Sequence, residues 1–80
     1  MSLDDAIRDM QTRIQKTSPG AEVKIVKMSD EEARLSVFVP ADQVQPIREA
    51  TLQPTLDYLN QAGLDLQVLV YDQDHPPQVG

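Results

Sequence analysis

The sequence predicts an α+β fold: a two-layer sandwich in the order α-β-β-α-β, with two helices on one face of a three-stranded mixed sheet. Three observations carry this reading. An amphipathic helical stripe opens the chain, a β-branched hairpin follows, and a long helical stretch separates that hairpin from one last alternating strand. Eighty residues hold one core. We place a single domain at residues 1–72 and a flexible, acidic, Pro-containing tail at 73–80. Folding at this size buries about 60–65% of the unfolded surface, so modest stability is expected.

The first helix rests on Leu3, Ile7, Met10 and Ile14, whose spacing puts them on one stripe. Ser2 stands where an N-cap belongs, with Asp5 three residues on as an acidic form of the capping box. Asp4 and Asp5 favour the positive end of the helix dipole; Arg13 and Lys16 favour the negative end. Ser18-Pro19-Gly20 stops the helix.

Glu22–Met28 and Glu32–Val39 then read as a hairpin around the polar turn Ser29-Asp30-Glu31. In the second strand Ala33, Leu35, Val37 and Val39 share one face, and Arg34, Ser36 and Phe38 the other. The first strand is ambiguous, because Val23 and Ile25 point one way and Val26 and Met28 the other. Val23 and Ile25 are expected inward, since Glu22 and Lys24 then face water.

Pro40 ends the strand, Asp42 can cap a helix, and Pro46 falls in its first turn, where a missing N–H is tolerated. Ile47, Ala50, Leu52, Leu56 and Leu59 give two partly offset stripes with Pro54 between them. Pro54 cannot bond the Ala50 carbonyl, so the helix is expected to be kinked, or split near Gln53. Gly63 supplies the left-handed stop. Leu64–Tyr71 forms the last strand, with Leu66, Val68 and Val70 on one face and Leu69 and Tyr71 on the other. The helical crossover is long enough for this strand to run parallel to the second. The expected core is Leu3, Ile7, Met10, Ile14, Val23, Ile25, Leu35, Val37, Val39, Ile47, Leu56, Leu59, Leu66, Val68 and Val70.

Composition narrows the function. The net charge is −6, and no Lys or Arg follows Arg48. Such a chain cannot release counterions from a phosphate backbone, and anionic membranes repel it. Partners are therefore expected to be neither nucleic acid nor membrane. Without cysteine there is no disulfide, thiolate nucleophile or Cys-held metal. The opening Met1-Ser2-Leu3-Asp4-Asp5 lacks the basic and apolar regions of a signal peptide, so a cytoplasmic location is expected.

Reactive groups are few. The single imidazole, His75, lies beside two prolines in the tail, a poor place to hold a catalytic base. Asp72, Asp74 and His75 offer metal-type ligands without a scaffold to fix them. The pairs Asp4/Asp5 and Glu31/Glu32 read as a helix start and a hairpin tip. The glycines match no phosphate-binding loop. An active site completed by a second chain would draw on Arg48, Glu49 or Tyr58. We assign no catalytic, cofactor-binding or metal-binding residue, and expect a non-enzyme without a cofactor.

The outer face of the sheet holds the clue. It is expected to carry Val26, Met28, Phe38, Leu69 and Tyr71, including the only Phe. Apolar area set on the solvent side of a sheet marks an interface. The expected function is a protein–protein interaction or homodimeric domain that uses this face or a strand edge, with itself or another protein as partner. The alternative is a ligand-binding or regulatory module with a pocket between the kinked second helix and the sheet.

The element order resembles the scaffold domain of NifU-type iron–sulfur assembly proteins, which carry a CxxC pair where this chain has Pro40-Ala41-Asp42-Gln43. With a split at Pro54 it also resembles a type II KH domain, which grips RNA with a GxxG loop where this chain has Leu52-Gln53-Pro54-Thr55. Both resemblances are of element order only. Neither implies a function here, because the residues that perform it are replaced.

Overall fold

The computed structural model describes residues 1–75 and contains α1 (Leu3–Thr17), β1 (Glu22–Lys27), β2 (Glu32–Val39), α2 (Val44–Ala62) and β3 (Asp65–Asp72). A short 3-10 turn, Ala41–Gln43, leads into α2. Of the expected tail, Gln73–His75 forms a turn closed by the His75 N–H on the Asp72 carbonyl at 3.1 Å, and the Gln73 N–H bonds the Val39 carbonyl of β2 at 2.8 Å. Residues 76–80 lie outside the described residues.

α1 starts on a complete capping box. The Asp5 N–H donates to Ser2 Oγ at 3.2 Å, and the Ser2 N–H donates to Asp5 Oδ2 at 3.3 Å. The Ser2 N–H holds the Asp5 carboxyl below its usual range. The buried face is Leu3, Ala6, Ile7, Met10 and Ile14, so the predicted stripe packs inward with Ala6 added.

The sheet order is β1-β2-β3, antiparallel and then parallel. Val23 pairs with Val37 and Ile25 with Leu35, which settles the ambiguous strand with both residues on the helix side. β3 aligns Leu66, Val68 and Val70 with Ala33, Leu35 and Val37. Ala33, Leu35, Val37, Val39, Leu66 and Val70 are buried beneath the helices. Lys27 shares that face at its far end and forms an ion pair with Asp4 of α1.

α2 runs as one helix through Pro54, rather than as two helices meeting at Gln53. Threonine hydroxyls bond the carbonyls around it. Thr51 Oγ1 donates to the Ile47 carbonyl at 2.9 Å, and Thr55 Oγ1 to the Thr51 carbonyl at 2.7 Å. The buried stripe is Ile47, Thr51, Pro54 and Tyr58. This corrects the expected core. Leu56 and Leu59, with Leu52, lie roughly 140° around the helix from that stripe and are 43%, 49% and 64% exposed. Ile25 points inward yet is 37% exposed. Its strand receives little cover, because α1 packs on β2 and α2, and α2 packs on β3. Val23 and Val68 are partly buried against the core.

Gly63 closes α2 at φ 67°, in the left-handed region, and its N–H donates to the Leu59 carbonyl at 3.1 Å. No heavy atom lies within 4 Å of where a Cβ would sit. Gly63→Ala therefore carries a purely conformational penalty. We expect a loss of about 1 kcal/mol, read as a lower urea midpoint at unchanged slope.

Candidate interaction surfaces

Two apolar surfaces remain open, and the first is the expected one. Strand alternation puts Phe38, Leu69, Tyr71 and Val26 on the side of the sheet away from the helices. Phe38 and Tyr71 are direct cross-strand partners, with ring centroids 5.3 Å apart and planes inclined by 27°. Lys24 lays its Nζ 5.3 Å from the Phe38 centroid. The two rings are half-buried, while Leu69 in the next row is exposed. Val26 is opposite Arg34, which separates it from that cluster, and Met28 lies past the end of β1 in the turn; both are exposed. The five residues thus divide into an aromatic group at β3 and an isolated pair at the hairpin end.

The second surface is the leucine stripe of α2. Sequence reasoning placed Leu56 and Leu59 in the core and therefore missed it. Its signal was present, since Leu52, Leu56 and Leu59 recur at spacings of 4 and 3. Beside it a groove of about 290 Å³ runs between α2 and β3, lined by Arg48, Thr51, Leu52, Thr55, Val68 and Val70. This is the gap between second helix and sheet that a ligand would use. It is shallow and open, at the lower limit of the roughly 300–1,000 Å³ typical of ligand sites.

Between the two helices lies a polar contact. Tyr58 donates its phenolic hydroxyl to Asp9 Oδ2, and Arg13 Nε donates to the same oxygen at 3.1 Å. Burial, and then the bond to Asp9, push the Tyr58 hydroxyl up to about 12. The Tyr58 and Arg13 donors hold the Asp9 carboxyl below its usual range. All of these groups serve one another, which makes the contact a clamp between α1 and α2. An open groove of about 470 Å³ passes over it, with Met1, Asp57 and Gln61 on its walls.

Asp72, His75 and Glu49 have local partners. Asp72 accepts from the Asp74 N–H at 2.9 Å and lies 3.2 Å from His75 Nδ1. These contacts, the Asp74 N–H first, hold its carboxyl below the usual range. Glu49 Oε1 accepts from Gln45 at 3.3 Å, and Arg48 is exposed. Among the described residues no group of three or more His, Asp or Glu is placed to hold a metal ion. Among them, too, no helix is long and apolar enough to cross a membrane.

No protein-family model, no curated protein and no solved structure matches the chain.

The clamp gives a signed pH dependence. Tyr58 ionises near 10 when unfolded and at about 12 when folded. Its contribution is therefore intact below pH 10 and lost as pH rises toward 12. Asp9 has the opposite sign: its contribution is present above the ordinary carboxylate value and lost as pH falls through the lowered folded value. Tyr58→Phe should lower stability at neutral pH by about 1 kcal/mol, since Asp9 is partly solvated. The variant should also lose less stability than wild type between pH 10 and 12 in urea titrations.

Proposed function

We propose that the chain is a small, non-enzymatic, cytoplasmic interaction domain that associates with a second copy of itself through apolar surface left open on its sheet or at a strand edge. The observation that carries this reading is the one-sided cover of the sheet. Both helices lie on one face, and the other keeps Leu69, Val26 and the Phe38–Tyr71 stack at the surface. An open apolar surface of this kind on a small domain supports association. The net charge of −6 supports a protein partner over nucleic acid or an anionic membrane.

The second reading, a ligand-binding module, has the groove between α2 and β3 as its location. Its small volume and open form give it less support than the apolar surfaces give to association.

Sedimentation velocity from micromolar to millimolar concentration tests the proposal. The expected result is a weight-average mass that rises from 8.9 kDa toward twice that value. A single 8.9 kDa species throughout the series overturns it.

A further inference from the structure

β1 is the least attached element of the fold. It is exposed at every residue but Val23, and neither helix packs closely over it. Its helix-side residues are Val23, Ile25 and Lys27, and Ile25 is already 37% exposed. Among the described residues its polar side chains have two ties. Lys27 pairs with Asp4 of α1 where both groups are largely in water, and Lys24 lies over the Phe38 ring of β2. Exposed residues flank the strand at both ends, Pro19 and Gly20 before it and residues 28–31 after it. β2 is held without β1. Its Ala33, Leu35, Val37 and Val39 are fully buried beneath the helices, and all of its length pairs with β3.

The backbone of β2 divides cleanly between its two neighbours. The Met28 N–H donates to the Glu32 carbonyl at 2.9 Å. In the observed register, Arg34, Ser36 and Phe38 therefore turn their N–H and C=O groups toward Val26, Lys24 and Glu22 of β1. On the other flank the Asp65 N–H donates to the Glu31 carbonyl and the Gln73 N–H to the Val39 carbonyl, both at 2.8 Å. Ala33, Leu35 and Val37 thus turn theirs toward β3. Even-numbered residues of β2 depend on β1 for their hydrogen bonds, and odd-numbered residues do not.

We infer that β1 is a detachable strand. It leaves β2 as a unit while α1, β2, α2 and β3 stay folded, and it closes again in the same register. Opening moves little apolar surface into water, because only Val23 and the covered part of Ile25 leave the helix side of the sheet. It also changes the kind of edge that the sheet presents. β1 guards its own edge with Lys24 and Lys27. The flank beneath it, on Glu-Ala-Arg-Leu-Ser-Val-Phe-Val, has neither lysine nor proline. A pairing edge is kept under a removable strand. The opening takes place within one chain and requires no second copy.

Native-state amide exchange of the full chain tests this, read residue by residue through a urea series below the unfolding transition. Opening of β1 alone frees Lys24 and Val26 of β1 with Arg34 and Ser36 of β2, and leaves Ala33, Leu35 and Val37 bonded to β3. The expected result is protection at least roughly tenfold lower for the even-numbered set than for the odd-numbered one, and independent of urea. One level of protection shared by both sets, falling with urea as global unfolding does, overturns the inference. Gln67 and Leu69 of β3 exchanging with the even-numbered set overturns it too, because that set would then report opening of the whole sheet. V26C/R34C supplies a second readout. The two positions are exposed and directly opposed, and the chain has no cysteine of its own. The oxidised form is expected to protect Lys24 and Ser36 roughly tenfold more than the reduced form. Equal protection in the two forms overturns the detachable strand.

Discussion

The parallel pairing of β2 with β3 organises this molecule. It runs unbroken from Glu32 opposite Asp65 to Val39 opposite Asp72. A parallel pair cannot be joined by a tight turn, so the chain between the strands has to cross the sheet as α2. That crossover puts α2 over β3 and beside α1, on the same side. Every deeply buried sheet residue belongs to β2 or β3, and β1, over which neither helix packs closely, stays exposed at every residue but Val23. Removing this pairing would strip α2 of the surface it packs on.

Much of this was legible in the sequence. The element order, the capping box at Ser2 and the inward set of β2 follow from periodicity and cap chemistry. The facing of Val23 and Ile25 followed from keeping Glu22 and Lys24 in water. What failed was the phase of α2. Leucine looks like a core residue, and Thr51, Pro54 and Tyr58 do not. Yet each of these three has its polar requirement met. Thr51 bonds the Ile47 carbonyl, Tyr58 bonds Asp9, and proline has no N–H to satisfy. Their burial turns the leucines outward. The exposure of Ile25 was hidden for a different reason: alternation says which way a side chain points, and says nothing of whether a helix lies above it.

The candidate interface was legible in the same partial way. Phe38, Leu69 and Tyr71 are together because their strands pair in the register that side-chain facing implies. The separation of Val26 and Met28 from them depends on where Arg34 falls in that register, which only the paired strands reveal. Both open surfaces border on β3. Leu69 and Tyr71 lie on its outer side, and Leu52 of α2 borders the groove on its helix side. The last strand is where both layers of the sandwich end in apolar side chains, whereas the hairpin edge ends in lysines.

The wide sequence gap between the paired strands also shapes the birth of the protein. On a ribosome, β2 emerges long before Asp72, and its second flank stays empty while α2 is being made. At ordinary elongation speeds that interval is roughly 2–7 s. During it Leu35, Val37 and Val39 have only the hairpin and α1 for company. Until β3 is made that flank of β2 has no strand to pair with, and the arrival of β3 closes it.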